Sequence, residues 1–263
     1  MSGPRKRGLA SSLREHRESH DRLAELIRSA GSVVALTGAG ISVPSGIPDF
    51  RSPGTGLWAN VDPMEVAHIS VWRRDPERFW GFYGQRFATL EGKQPNGAHR
   101  ALAAMEAAGR LDAVITQNID GLHAAAGSED VIEVHGSIAT ASCLADGARV
   151  SLGETRRRLE EAADGVPRCD CGRALKPDVV LFGELLDEAA MTRASDLATR
   201  ADLLLCIGSS LEVYPVAGLP ELTLDAGGRI AVVTMGPTPF DRWAAARLDG
   251  DVEQDLEAVL AVL

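Results

Sequence analysis

The sequence predicts an α/β fold in which a parallel, Rossmann-like sheet carries a smaller inserted lobe. Short, continuously apolar segments alternate along the chain with segments of helical periodicity, which is typical of a parallel sheet covered on both faces. Polar or glycine-rich residues directly follow several of these segments, which indicates a ligand cleft at the carboxyl edge of the sheet. These residues are Gly38-Ala39-Gly40, Gln117-Asn118, His135-Gly136 and Gly208-Ser209-Ser210.

Composition narrows the class of protein. The 263 residues include 27 basic and 37 acidic side chains, and the net charge of −10 argues against nucleic acid as the main partner. No apolar run approaches the ~20 residues of a membrane helix, and no apolar segment follows the basic N-terminus as it would in a secretory signal. Four cysteines in a chain of this length do not suggest a disulfide framework. We therefore expect a cytoplasmic protein without nucleic-acid or membrane partners.

The elements follow from apolar periodicity and from glycine and proline breakers. Residues 1–29 are expected to form a mobile tail and an amphipathic helix that begins at a serine cap. Residues 30–52, 96–137 and 175–263 form the predicted Rossmann-like domain, and 53–95 and 138–174 the inserted lobe. The predicted strands are Val33–Leu36, Asp112–Thr116, Val131–Val134, Val179–Phe182, Leu203–Ile207 and Ile230–Thr234. The main predicted helices are Pro76–Leu90, Pro95–Gly109, Asp187–Arg200, Val216–Ala226 and Val252–Leu263.

The segment from Thr37 to Ser52 contains three glycines, two prolines and an Asp-Phe-Arg triplet. Glycines directly after a buried strand let the backbone approach a ligand and leave N–H groups for a diphosphate. As a dinucleotide fingerprint the segment is incomplete, because Val43 occupies the third glycine position and Pro44 interferes with starting a helix at once. By pattern alone, a nucleotide cradle and a plain strand-to-helix turn are alternatives.

This segment resembles the NAD-binding signature of the sirtuins, which are NAD-dependent protein lysine deacylases. Thr116–His123 resembles the second sirtuin signature, Val134-His135-Gly136 the catalytic histidine motif, and Gly208-Ser209-Ser210 the family's Gly-Thr/Ser-Ser motif. The resemblance implies NAD-dependent acyl transfer from lysine to the ribose, in which His135 activates a ribose hydroxyl. Protein ADP-ribosyl transfer and a non-catalytic NAD sensor are the alternatives.

The resemblance also implies roles for individual residues. Asn118 is expected to position the nicotinamide ribose and a water, and the ring of Phe50 to shield the reacting sugar carbon. Thr234 stands where many sirtuins have Asn, so we expect weaker NAD binding. The implied catalytic residues are His135 and Asn118. The implied NAD-binding residues are Gly38, Ala39, Gly40, Ile47, Asp49, Phe50, Arg51, Gln117, Asn118, Ile119, Asp120, Gly208, Ser209, Ser210, Thr234 and Val252.

From the residues alone, several of these positions have ordinary structural roles. Asn118 could be a turn residue, and Asp120 could cap a helix. Surface or packing roles are predicted for the remaining histidines. They are His16, His20, His68, His99 and His123.

Acylated protein or peptide substrates are the predicted partners. Val179–Glu184 and Val213–Pro215 resemble the two segments between which sirtuins clamp an extended peptide, although both could be ordinary strand ends. Tyr83 and Arg86 lie three residues apart and share a helix face. The simple alternative is a core tyrosine beside a solvent arginine. The implied substrate-binding residues are Ala67, Tyr83, Arg86, Val180, Phe182, Gly183, Glu184 and Val213.

One sirtuin class has Tyr-x-x-Arg at this place and an earlier small alanine, which corresponds to Ala67. In that class the pair reads the carboxylate of succinyl- or malonyl-lysine, for which a phenol and a guanidinium are suitable donors. We therefore expect activity on acidic acyl groups as well as on acetyl.

The family's zinc site is incomplete in this sequence. Sirtuins use two Cys-x-x-Cys pairs, but here Asp146 takes the place of one partner of Cys143, and the second pair is Cys169-Asp170-Cys171. The thiolates of Cys143, Cys169 and Cys171 could still bind zinc, with Asp146 or Asp170 as the fourth ligand. Loss of the metal is the alternative. Cys206 lies in a predicted core strand.

Overall fold

A computed structural model describes residues 9–49, 56, 61–90 and 92–263. Within these residues the chain forms a six-stranded parallel sheet and a three-stranded antiparallel sheet. The strands are β1 Val33–Thr37, β2 Ala113–Thr116, β3 Val131–Glu133, β4 Gly136–Ser142, β5 Arg149–Ser151, β6 Lys176–Val179, β7 Leu203–Ile207, β8 Arg229–Val233 and β9 Ala244–Leu248. The α-helices are α1 Leu9–Ser29, α2 Pro63–Val66, α3 Ile69–Arg74, α4 Pro76–Leu90, α5 Gly97–Ala107, α6 Leu122–Ala126, α7 Leu152–Glu161, α8 Glu188–Arg200, α9 Leu219–Asp225 and α10 Val252–Ala261.

The larger sheet has the strand order β3-β2-β1-β7-β8-β9, and all neighbouring strands are parallel. The chain first builds outward from β1 on one side and then returns to its other side with β7. Open α/β sheets bind ligands at such a reversal, outside the carboxyl ends of the strands. This order confirms the predicted Rossmann-like fold.

Both faces of β1 are buried because helices cover both sides of this sheet. Val33 and Ala35 pack in one apolar core with side chains of α1, α5 and α10. Val34 and Leu36 pack in a second core with side chains of α8 and α9. Complete burial of one such aliphatic side chain is worth about 1.5–3 kcal/mol. No helix in the described part of the chain has the length and apolar character needed to cross a membrane.

A third apolar core joins the aromatic helix α4 to the antiparallel sheet. Phe79, Trp80, Tyr83 and Phe87 are buried on α4 and pack against side chains of β4 and β6. The indole N–H of Trp80 donates to the carbonyl of Leu175 at 3.1 Å, so the polar atom of this buried ring has a partner.

Two strand predictions differ from the structure. The strand expected at Val179–Phe182 is β6, which begins at Lys176, ends at Val179 and pairs with β4 in the smaller sheet. The prediction of these bounds was wrong because Lys176 is polar by sequence but buried by its tertiary partners. β9 was not predicted, because its sequence Ala-Ala-Ala-Arg-Leu lacks β-branched and aromatic residues.

The segment after β1 also differs from expectation. A 3₁₀ helix over Ala39–Ser45 begins directly after the strand and contains Pro44. It ends at Gly46, whose φ of 76° is left-handed. Pro44 therefore does not prevent a helical turn here.

Candidate active site

The loops that follow β1 and β7 are in direct backbone contact. The amide of Gly38 donates to the carbonyl of Ile207 at 2.9 Å, and the amide of Gly40 donates to that of Gly208 at 2.8 Å. A Cβ on Gly38 would lie 2.8 Å from the Gly208 carbonyl oxygen, and one on Gly208 would fall on the amide nitrogen of Ile41. Glycine is therefore required at these positions first of all because the loops after β1 and β7 pack closely against each other at the switch point.

A polar cluster lies beside this crossing, at the carboxyl ends of β1 and β2. The side-chain amide of Asn118 donates to the carbonyl of Gly38 at 3.1 Å and to the hydroxyl of Ser42 at 3.2 Å. Ser42 in turn donates to the carboxylate of Asp120 at 2.7 Å. The other oxygen of Asp120 accepts from the amide of Leu122 at 3.0 Å, but the N-cap of α6 is Gly121, so Asp120 is not the N-cap weighed as its alternative role.

Two buried histidines support this cluster from below. Nε2 of His99 lies 3.5 Å from the Ser42 hydroxyl, and Nε2 of His123 lies 2.9 Å from the hydroxyl of Thr37. Burial lowers the pKa of His99 to about 4, with Asp120 opposing this effect, and lowers that of His123 to about 3. Both imidazoles are therefore neutral at pH 7. The packing role expected for them is confirmed by their complete burial.

His135 lies at the same carboxyl edge of the parallel sheet, and its imidazole is a neutral base. Its Nδ1 lies 3.0 Å from the backbone carbonyl of Gln117, which can only accept, so Nδ1 carries the proton and Nε2 retains its lone pair. Burial lowers the pKa of His135, and the hydrogen bond to Gln117 opposes this effect. Gly136 must be glycine, since its φ is 74° and a Cβ would overlap the carbonyl of Asp178.

The far side of the switch point offers hydroxyl and amide groups. The side-chain amide of Gln117 donates to the hydroxyl of Ser209 at 2.9 Å and so connects the loops after β2 and β7. Thr234 is half-buried at the end of β8, and its amide donates to the carbonyl of Leu248 at 3.0 Å. Val252, four residues after Leu248, is buried. Small polar side chains on both sides of a switch point suit the ribose and phosphate groups of a dinucleotide.

The remaining predicted NAD-binding residues fall into two groups. Ile47 is buried, and Ala39, Asp49, Ile119 and Ser210 are half-buried along this edge. Phe50 and Arg51 lie outside the residues that the structure describes.

Tyr83 and Arg86 lie near this edge and share one face of α4. Burial raises the pKa of Tyr83 to about 12, with Arg86 opposing it and Glu184 adding to it. Burial lowers the pKa of Arg86, and Tyr83 and Asp120 oppose that shift. Arg86 is half-buried rather than fully exposed, and Asp120 of the polar cluster acts on it electrostatically, so the simple alternative of a solvent arginine is not favoured.

A cavity of about 130 Å³ lies between Arg86 and the glycine-rich segment. Ile47 and Pro48 line it from one side, and Phe82 and Arg86 line it from α4. The side chain of Arg86 and the glycine-rich segment thus border the same space.

The segment Val179–Glu184, which is expected to bind the substrate, is held by backbone hydrogen bonds on two sides. Phe182 pairs with the backbone around His68, since its amide donates to Ala67 and its carbonyl accepts from Ile69. On the other side, the amide of Val180 donates to the carbonyl of His135 at 2.8 Å. Gly183 and the side chain of Phe182 remain exposed, and Val213 is half-buried in the loop after β7. Ala67 is buried in the same core as Tyr83.

The three predicted cysteine ligands converge with Asp146 in the smaller lobe. Their ligand atoms lie within 4.8 Å of one another, with 3.5 Å between the sulfurs of Cys143 and Cys171 and 3.3 Å from the Cys169 sulfur to an Asp146 oxygen. Three thiolates and a carboxylate at such distances fit a tetrahedral zinc ion. Asp170 is not part of the group, since its carboxylate pairs with Arg158. The buried Cys206 lies apart from it in β7.

Sequence reasoning missed three residues that contribute to the candidate site or lie beside it. Ser42 joins Asn118 to Asp120, His99 supports Ser42, and Lys176 is buried beside the substrate segment. The position of Ser42 directly after the glycine pair is a signal that could have found it. Neither His99 nor Lys176 has a sequence signal of this kind, because their partners lie 57 and 8 residues away in the chain.

Comparison with known proteins agrees with this geometry. A model of the Sir2 family matches residues 38–215. The NAD-dependent protein deacetylase of Caldivirga maquilingensis is 43% identical over 244 residues, which cover 92% of this chain and 93% of that protein. The NAD-dependent protein deacetylase 2 of Caldanaerobacter subterraneus is 47% identical over 225 residues, which cover 83% of this chain and 85% of that protein.

Solved structures show the same relationship. A Sir2 protein with a p53 peptide and NAD⁺ superposes with a TM-score of 0.83 at 38% identity, covering 91% of this chain and 96% of that one. A Sir2 protein bound to a propionylated peptide gives 0.84 at 38% identity, covering 92% and 97%. The family model, the sequence identities and the superpositions show that the chain belongs to the Sir2 family.

Proposed function

We propose that this protein removes acetyl groups, and also succinyl and malonyl groups, from lysines of protein substrates in an NAD-dependent reaction. The observation that carries the proposal is His135, whose Nε2 keeps its lone pair at the edge that also holds the Asn118–Ser42–Asp120 cluster. The relatives named above are NAD-dependent protein deacetylases, and Sir2 structures similar to this one hold acetylated and propionylated peptides. These likenesses support an acylated peptide as the substrate.

Each residue of the site has a physical task in this reaction. When bound, NAD would supply an electrophilic ribose carbon with nicotinamide as its leaving group; with one water consumed, the acyl group would end as O-acyl-ADP-ribose and the lysine amine would be released. Nε2 of His135 accepts the proton of a ribose hydroxyl, for which a neutral imidazole is required. Asn118 and Asp120 are held in place by Ser42, so they can orient the nicotinamide end without rearrangement.

The acidic acyl groups are proposed because of Tyr83 and Arg86. The phenol remains protonated at neutral pH and can donate, and the half-buried guanidinium carries the positive charge that a carboxylate needs. Ala67 leaves room because its side chain is a single methyl group. Acetyl-lysine needs neither donor, so deacetylation is proposed as a second activity of the same site.

The cysteine cluster is proposed as a structural zinc site. It lies in the smaller lobe and is closed by four protein ligands, which is typical of structural zinc. All four cysteines are free thiols, which accords with a location in the reducing cytoplasm.

The first experiment tests the reaction itself. Acetyl-, succinyl- and malonyl-lysine peptides are incubated with NAD and followed by mass spectrometry, with the wild type compared to His135→Ala. We expect acyl loss to fall by about 10²–10⁴-fold in the variant. His16→Ala, which replaces an exposed histidine of α1, is the control and should retain activity. A gain of ADP-ribose mass on the peptide would favour the transferase alternative, and NAD binding without any turnover would favour the sensor.

The second experiment tests the acyl preference. Arg86→Met should lower kcat/KM for a succinyl-lysine peptide by about 10–100-fold, because a charged hydrogen bond to a carboxylate is lost. The acetyl-lysine value should change much less. Arg78→Met is the matched control, since Arg78 lies on the same helix but is exposed and pairs with Glu65. Full desuccinylase activity in Arg86→Met would contradict the assignment.

A further inference from the structure

An ion pair between the buried Lys176 and the half-buried Glu184 lies next to the proposed acyl site. Glu184 is one of the implied substrate-binding residues, but the ion pair itself has no step in the chemistry described above. Lys176, at the start of β6, is only 8% exposed. Its ammonium group lies 2.9 Å from the carboxylate of Glu184 and donates to the carbonyls of Val179 at 2.8 Å and Pro177 at 3.2 Å. All three N–H donors of this lysine are therefore used inside the protein.

Glu184 connects this ion pair to the acyl site. Its carboxylate accepts from the amide of Leu181 at 2.9 Å, and its own amide donates to the Leu181 carbonyl at 3.0 Å. Leu181 packs in the same apolar core as Tyr83 and Ala67. The carboxylate is close enough to Tyr83 to act on the phenol electrostatically, with a sign opposite to that of Arg86.

The carboxylate of Glu184, so close to Tyr83, should by itself disfavour the binding of an acidic acyl group. The charges that act on the phenol are the positive one of Arg86 and the negative one of Glu184. A bound succinyl group would add a second negative charge, and like charges in a poorly solvated region repel each other. Lys176 offsets the charge of Glu184, so that the field of Arg86 prevails.

We infer that the Lys176–Glu184 ion pair is a specificity determinant, because it neutralises a carboxylate that would otherwise repel acidic acyl groups. The inference rests on the proposed activity toward succinyl- and malonyl-lysine. Neither residue is assigned a step in the reaction, and both are positioning residues. The simpler role, in which the pair only anchors the segment around Gly183, predicts equal effects on all acyl groups.

The test measures the acyl ratio, defined as kcat/KM for a succinyl-lysine peptide divided by kcat/KM for the acetyl-lysine peptide of the same sequence. Lys176→Met should lower this ratio about fivefold, the effect of one uncompensated charge nearby. Glu184→Gln should raise it, and the double variant should return it close to the wild-type value. Lys176→Arg keeps the charge and should keep the ratio.

Each single variant leaves one charge without its partner: Lys176→Met leaves the half-buried carboxylate of Glu184, and Glu184→Gln leaves the buried ammonium of Lys176. Either change can destabilise the protein. The double variant carries neither charge and tests the same inference without this cost. A ratio that stays constant while both rates fall would overturn it in favour of anchoring, and so would a double variant with a lower ratio than either single one. A wild type that deacetylates but does not desuccinylate would instead overturn the proposed acyl range, and with it this inference.

Discussion

The edge of the parallel sheet and the cysteine cluster hold their side chains by different means. At the edge, Gly38, Gly40 and Gly208 bring two backbone segments into contact, and the polar side chains are fixed to that backbone. In the cluster, Cys143 and Asp146 approach two further cysteines through side-chain atoms within 4.8 Å of one another. The edge is therefore organised by the fold itself, whereas the cluster consists of side-chain ligands that we propose to bind zinc.

This difference explains which changes each region tolerates. A backbone crossing admits no side chain at its glycines, so a single methyl group there has a large cost. A metal site can exchange one ligand type for another, and Asp146 in the position of a cysteine is such an exchange. Four predictions test this contrast, in order of decreasing expected effect.

Acid should destabilise the region beneath the sheet edge most strongly. The folded-state pKa values of His99 and His123 are about 4 and about 3, below the ~6.5 of an unfolded chain. The stability present above pH 6.5 is therefore lost as the pH falls toward these values, because only the unfolded chain takes up the protons. From pH 7 to 5 we expect a loss of about 4 kcal/mol in the free energy of unfolding from the two histidines together.

Urea unfolding at pH 7 and at pH 5 measures this loss. In His123→Gln the loss should be about half as large, since one imidazole remains. The difference between the two proteins reports on His123 together with its effect on His99, since the two ring centroids lie 4.8 Å apart. An equal loss in both proteins would show that His123 does not contribute.

Gly208→Ala should break the crossing of the two loops. Gly208 has a φ of 61°, and a Cβ there would overlap the amide of Ile41 and approach Gly40. We expect a loss of about 3 kcal/mol in stability, from the left-handed backbone and from the overlap, together with weaker NAD binding. Gly109→Ala is the matched control, since its φ is 66° with nothing within 4 Å, and it should cost only ~1 kcal/mol.

Chemical denaturation and calorimetric titration with NAD check both variants. Equal destabilisation by the two substitutions would mean that only backbone conformation matters at Gly208. The contact between the loops would then carry no energetic weight.

These glycines also show how far sequence reasoning reaches. Apolar runs and the polar residues behind them predicted most strands of the parallel sheet and its ligand edge. The same reasoning missed β9, whose alanines give no strand signal, and misplaced β6, whose buried Lys176 looks exposed in the sequence. The partner of His99 lies 57 residues away in the chain, and the ammonium group of Lys176 is enclosed by a turn that brings Val179 and Glu184 to it, so both burials could be understood only in three dimensions.

Asp146→Ala should weaken the metal site and leave the sheet edge intact. We expect zinc affinity to fall about 10–100-fold, because one of four ligands is lost. NAD affinity should stay close to that of the wild type, since the crossing of backbones does not depend on the ion. Asp170→Ala, at a carboxylate that is 91% exposed and paired with Arg158, is the control and should retain zinc.

Competition with a zinc indicator and elemental analysis measure the metal, and calorimetry measures NAD binding. Active wild-type protein that contains no zinc would show that this lobe needs no ion. A parallel loss of zinc and NAD affinity in Asp146→Ala would show instead that the two regions are coupled.

Thr234→Asn should slightly strengthen NAD binding at the sheet edge, and this is the smallest of the four expected effects. Thr234 is half-buried where β8 ends, and its backbone is fixed by the bond to Leu248, so the side chain can change without moving the edge. An amide offers both donors and an acceptor to a ribose, where threonine offers one hydroxyl. One added hydrogen bond is worth about 1 kcal/mol, so the KM for NAD should fall about threefold to fivefold. Thr199→Asn, on the exposed face of α8, should leave this KM unchanged, and a KM that rises in Thr234→Asn would place the ribose elsewhere.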